Sequence, residues 1–237
     1  MVTNQLPASL WARNLPMKRA ILLFLTLGIT VKAQTTTTLV PLQSVWKYLD
    51  NGTNQGTAWR APGFDDSTWA QGAAELGYGD GDEATVVGYG GNSSARYITT
   101  YFRKNFTVTG AAAYTSANLR VRRDDGVVIY LNGTEVYRNT MPAGTITYTT
   151  LSSAVATDEG SLFPGTVSPA LLLEGTNVLA VEIHQSGATS SDISFDMDFT
   201  ATIAGTVPTA GGQFVCLAED TPKTHTRTRL GPDRDPP

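Results

Sequence analysis

Glu182 and His184 stand two residues apart in NVLAVEIHQ, residues 177–185, so an extended chain presents both on one face. A carboxylate beside an imidazole can hydrogen-bond sugar hydroxyls, with an aromatic ring such as Trp69 or Tyr78 stacking on the pyranose. The same pair can instead face each other and stabilise a sheet surface. Asp124 and Asp125 open a second acidic group, either a turn that caps its own backbone or a clamp on a ligand. Asp80, Asp82 and Glu83 lie in the glycine-rich stretch AAELGYGDGDEATVVGYGG, residues 73–91. Their oxygens suit a hard cation such as calcium, although the ligand ladder of an EF-hand is absent. The alternative is a solvated loop that uses glycine for positive φ.

Catalytic chemistry finds little to work with. His184 and His225 are the two histidines, and the second lies in the C-terminal tail. No G-x-S-x-G is present for a nucleophile elbow. A dinuclear metal centre needs several His and Asp ligands, and one usable histidine does not supply them. Carboxylates are plentiful, at Asp65, Asp66, Asp192 and Asp196 besides those above, but glycosidase chemistry needs two flanking a cleft. Acids placed in turns and along one strand face read more simply as solvated groups.

These residues sit on a chain that reads as strands. Val127–Leu131 is β-branched and aromatic, Asn132-Gly133 carries the type I′ hairpin signal, and Thr134–Arg138 returns as partner. Residues 97–108, YITTYFRKNFTV, bear aromatics on both faces and suit a central strand. Leu179, Val181 and Ile183 face a core from one strand, and Ile193, Phe195, Met197 and Phe199 from another. In the latter, Asp192, Asp196 and Asp198 take the solvent side. Residues 39–49 and 145–151 also read as strands, and 35–38 as a polar linker. In WRAPGFDDSTW, residues 59–69, the aromatics either plug one end of a sandwich or form an exposed platform. About nine short strands separated by turn signals predict an all-β jelly-roll sandwich.

Composition agrees. The 237 residues include 23 Gly and 12 Pro, with 16% charged and 41% hydrophobic, a mix for many turns around a sizeable core. Met17-Lys18-Arg19 followed by AILLFLTLGITV and Val31-Lys32-Ala33 reads as a secretory signal peptide cleaved after Ala33, with Met17 the true start. Losing residues 1–33 removes four cations and no acid, so the remainder is four units more negative than the −4 of the whole chain. Such charge disfavours nucleic acid and, after cleavage, an anionic membrane. Cys216 is the single cysteine, so no intrachain disulfide forms. Residues 206–237 read as a linker and a disordered or truncated tail.

Taken in order, WKYLDNGT, WRAPGFDDSTWAQGAAELGYGDGD, YFRKNFTV, DDGVVIYLNGTEVYRNTMPAG, LLLEGTNVLAVEIHQ and SSDISFDMDF resemble a galactose-binding-like jelly-roll module. The resemblance covers roughly residues 40–204. It implies a secreted or cell-surface bacterial protein of several domains, in which such modules accompany glycoside hydrolases or metallophosphoesterases. A bacterial source would leave the Asn-x-Ser/Thr sites at Asn51, Asn92, Asn105 and Asn132 without meaning as glycosylation sites. The expected function is a non-catalytic carbohydrate-binding accessory module, with a polysaccharide or glycan as ligand, other domains as partners and structural calcium as the one cofactor considered. A ligand-free spacer, or the front end of a truncated secreted hydrolase, remains open beside it.

Overall fold

A computed structural model describes residues 33–205 apart from Glu159. The signal segment before Ala33, its start at Met17, and the tail from residue 206 lie outside the described residues. Among the described residues, twelve strands form two six-stranded sheets. They are β1 (Thr35–Val40), β2 (Val45–Leu49), β3 (Ala70–Ala73), β4 (Leu76–Tyr78), β5 (Thr85–Val86) and β6 (Thr99–Val108). Then follow β7 (Tyr114–Asp124), β8 (Gly126–Leu131), β9 (Thr134–Asn139), β10 (Phe163–Val167), β11 (Gly175–His184) and β12 (Ile193–Ile203). The first sheet runs β10-β7-β12-β4-β5, with β1 pairing β12 beyond β4. The second runs β3-β2-β6-β11-β8-β9. No helix among the described residues is long and apolar enough to cross a membrane.

The two sheets close over the apolar faces that alternation assigns. Leu179, Val181 and Ile183 meet Phe195, Met197 and Phe199 in one buried cluster. Trp46 packs edge-on against Phe195 at 5.0 Å, and Phe102 lies 4.5 Å from the same ring. The hairpin is as expected: Asn132 and Gly133 take φ of 53° and 87°, the left-handed pair that a type I′ turn demands. Long β6 is central, flanked by β2 and β11.

Several expectations are corrected. Residues 35–38 are not a linker: β-branched threonines pair with the far end of β12, Thr35 opposite Ile203. Residues 145–151 form turns rather than a strand, because Thr147 and Thr150 satisfy each other locally through Thr150 N to Thr147 O at 2.9 Å. Trp59 and Trp69 neither plug the sandwich end nor form a platform. They build a second buried cluster on the outer face of the second sheet, with Tyr101, Val128, Tyr130, Ile146 and Ala180. Those strand residues alternate with core-facing neighbours, so the second sheet is apolar on both faces and needs a cover on each. Buried Arg103 secures that cover, its Nε donating to Asp66 Oδ2 at 2.8 Å and its Nη1 to the Trp59 carbonyl. Asp196 and Asp198 are also buried, not solvated, for they oppose Arg122 and Arg120 across the β12–β7 ladder.

Candidate ligand groove on the first sheet

The residues expected to meet a ligand are enclosed. Glu182 is 1% exposed and His184 0%, beneath the second cluster. Tyr130 Oη donates to Glu182 Oε1 at 2.7 Å, and Arg60 Nη2 reaches the same oxygen at 3.3 Å while its guanidinium lies 4.2 Å over the Tyr130 ring. Burial alone would raise the Glu182 pKa. His184, Tyr130 and Arg60 outweigh it and hold the carboxyl below its usual range. His184 Nδ1 sits 2.7 Å from the Thr150 carbonyl, and Nε2 lies 3.4 Å from Glu182 Oε2. Thr99 Oγ1 is 3.1 Å from Nδ1, so hydroxyl, imidazole and carboxylate stand in line. That row performs no nucleophilic step, since Thr99 is 1% exposed and donates to the Tyr148 carbonyl at 2.6 Å.

Asp124 and Asp125 occupy the crossing from β7 to β8, where the chain passes between sheets. Neither caps its own turn. Asp125 accepts from Ala156 N at 2.8 Å, Ser186 N at 2.6 Å and Ser190 Oγ at 2.9 Å, tying two other loops to the crossing. Burial works to raise its pKa, but these donors keep it low. Asp124 is pushed up to about 9 by burial first, then by the charge of Asp125 and hydrogen bonds shared with Asp125 and Asp192. It therefore holds a proton at neutral pH. Tyr78 and Trp69 are buried too. Burial raises the Tyr78 phenol to about 12, and Gln185 Nε2 donates to its oxygen. None of these six offers an open surface to a sugar.

An open polar site lies elsewhere, on the outer face of the first sheet. Strands β7 and β12 send Arg120, Arg122, Asp196 and Asp198 outward in register. Glu75 enters from the residue before β4, and the 79–84 loop overhangs with Asp80 and Asp82. Gly79 and Gly81 adopt φ of 113° and 83°, and a Cβ at Gly79 would fall 2.5 Å from Asp192 Cβ, so the loop needs glycine there. Two recesses result, of about 310 and about 410 Å3, and both are lined by Glu75, Asp82 and Arg122. The larger adds Gln43, Ala74, Ala84 and Asp196.

The charges inside are arranged with care for acceptors. Arg122 Nη1 and Ser194 Oγ donate to the two Glu75 oxygens. Arg122 Nε is buried without a partner. Asp196 accepts from Gln43 N at 3.1 Å and Met197 N at 2.8 Å, yet burial still pushes its carboxyl up. Spare carboxylate lone pairs beside a guanidinium offer both acceptors and a donor to a polyhydroxyl ligand. Among the described residues, no aromatic side chain lines either recess.

The same groove is where a cation would sit. One carboxylate oxygen each from Glu75, Asp80 and Asp82 lies within 4.8 Å of the others. Oxygen donors suit calcium in kind, but its six to eight ligands would need backbone carbonyls and water as well. Glu83, expected as a ligand, is used otherwise: its oxygens accept from Asp80 N at 2.9 Å and Gly81 N at 3.0 Å, shaping the loop. Sequence reasoning missed Glu75, Arg122 and Asp196 as groove residues. The usable signal was the alternation of Arg120 and Arg122 with Leu119 and Val121, which sends both cations to one face.

No family model and no curated protein matches this chain. Among solved structures, a β-glucuronidase 2 of Bacteroides uniformis is 20% identical with a TM-score of 0.47, over 71% of this chain and 18% of that one. An uncultured Clostridium sp. β-glucuronidase is 15% identical, TM-score 0.44, over 77% and 31%. A β-glucuronidase from Ruminococcus gnavus, solved with D-glucuronic acid, is 13% identical, TM-score 0.46, over 73% and 30%. The chain thus spans less than a third of the length of each. Identities and TM-scores are low in all three.

Proposed function

We propose that this chain is a secreted, non-catalytic accessory module that binds a neutral polyhydroxyl ligand, a glycan, in the groove over β7 and β12. The observation that carries this reading is the contrast between two sets of polar groups. Glu182, His184, Asp124 and Asp125 are enclosed and spend their hydrogen bonds on the fold. Exposed Asp82 and half-buried Arg122, with the largely buried carboxylates of Glu75 and Asp196 at the floor, line open recesses large enough for a sugar ring. Secretion rests on the charged and apolar segment of residues 18–33, and partner domains on the resemblance of the ordered strand motifs. Calcium, if bound, bridges Glu75, Asp80 and Asp82 at the rim.

A ligand-free spacer is the second reading, favoured by one observation: Glu75 is already paired with Arg122 and Ser194. Isothermal titration of the full chain with glycans selected on an array, with calcium and with chelator, separates the two. Saturable binding lost in Arg122→Ala supports the module. Folded protein that binds nothing under either condition supports the spacer.

A further inference from the structure

Asn51 shares one local feature with Asn92 and another with Asn132. Asn51 and Asn92 each accept from the backbone N–H two residues on, Thr53 N at 3.1 Å and Ser94 N at 3.0 Å. This folds the carboxamide back over its own chain. Asn51 is exposed and is followed by Gly52, whereas Asn92 is followed by Ser93. Asn132 is also followed by glycine, but its amide is tied down. Nδ2 donates to Leu171 O at 3.0 Å and Asn177 Oδ1 at 2.8 Å, and Oδ1 accepts from Val178 N at 2.9 Å.

Asn51 carries a further contact. Its Oδ1 also accepts from Thr53 Oγ1 at 2.6 Å. Two donors on one carbonyl oxygen polarise its Cγ and would stabilise the oxyanion formed when a nucleophile adds there. The adjacent nucleophile is the Gly52 nitrogen, whose own residue carries no side chain. Glycine is obligatory at that place. Gly52 has φ of 74°, and a Cβ would lie 2.3 Å from Tyr97 Cε1. The packing of Tyr97 therefore keeps glycine after Asn51, the residue whose nitrogen carries no Cβ branch of its own to oppose ring closure.

We propose that Asn51 is a built-in site of spontaneous deamidation and backbone isomerisation, while Asn132 and Asn92 are protected. The Gly52 nitrogen bonds to Asn51 Cγ, the Cγ–Nδ2 bond breaks, and Nδ2 leaves as ammonia with the proton lost from the Gly52 amide through water. Water then opens the cyclic imide at either carbonyl. Opening at one gives Asp, and at the other an isoaspartyl linkage with an extra backbone carbon. Either product adds a negative charge beside Asp50, whose carboxylate accepts from Gly88 N. The isoaspartyl form also displaces the Gly52 carbonyl, which accepts from Tyr148 Oη at 2.6 Å in the cover of the second cluster. Conversion thus loosens that cover from its edge.

The full chain is held at mildly alkaline pH and body temperature, and aliquots are peptide-mapped with isoaspartate-specific methyl transfer as a second readout. A free peptide spanning residues 49–60 is the reference. The expected result is progressive loss of the Asn51 amide no slower than in the peptide, isoaspartate at that position, and intact Asn92 and Asn132. Thr53→Ala should slow the Asn51 conversion several-fold. Slower conversion in the folded chain than in the peptide overturns the proposal. Equal loss at Asn132 overturns it as well, since that would trace the reaction to unfolded chains. A Thr53→Ala rate equal to wild type overturns the role of the two donors.

Discussion

Replacing Asp124 by Asn removes a carboxyl that the fold forces to keep its proton. Its ordinary pKa is 3.8, and in the folded chain burial and the neighbouring Asp125 and Asp192 raise it to about 9. A raised carboxyl means that the native state binds a proton the unfolded state has released. Stability must then fall as pH rises between the two values, by about 1.4 kcal/mol for each unit. From pH 3.8 to neutrality the group therefore costs the wild type about 4 kcal/mol, and the full penalty is reached above its folded pKa. Asn has no such penalty, and its amide can donate to Asp125 or Asp192 as the protonated carboxyl does. The assay is urea denaturation from mildly acid to alkaline pH, followed by the fluorescence of buried Trp46, Trp59 and Trp69. Asp124→Asn should gain stability over wild type as pH rises, with the difference vanishing near pH 4. Two parallel stability curves, separated by a constant amount across the range, would refute a proton held at Asp124.

The other buried groups give further tests. Glu182→Ala leaves Arg60 and His184 facing an empty site, and should cost about 3–5 kcal/mol in denaturant melts. The lowered Glu182 pKa adds stability that is present above the ordinary 4.5 and lost as pH falls through the folded value, so the mutant's acid limb should be flatter. Trp59→Ala empties the centre of the second cluster, where Trp59 meets Tyr101 at 4.8 Å and Tyr130 at 5.9 Å, and should cost about 3–5 kcal/mol by the same measurement. If calcium binds at the rim, Asp82→Ala should abolish the calcium-induced rise in Tm and Glu83→Ala only weaken it, since Glu83 acts through the loop backbone.

The sandwich was legible where one face of a strand is apolar and the turn chemistry local. Asn132-Gly133 and the alternation from Ile193 to Phe199 needed nothing distant to be understood. The partner of Thr35–Thr38 was not legible, because it lies at the far end of the chain and the threonines carry no apolar stripe. Glu182 and His184 read as a surface pair since their strand gives no sign of a cover. The sign lies on other strands, in Tyr101, Val128 and Tyr130, and in the unassigned need of Trp59 and Trp69 for a partner. The groove failed for the same reason. Glu75, Arg122 and Asp196 come from three strand regions whose register only the paired sheets establish.

The most direct test of the account is glycan-array and titration binding by the full chain compared between Arg122→Ala and His184→Gln, each first shown to be folded. A groove on the first sheet predicts selective glycan binding that Arg122→Ala abolishes and His184→Gln retains. Binding that survives Arg122→Ala and disappears in folded His184→Gln would contradict it, and would return the ligand to the enclosed face of the second sheet.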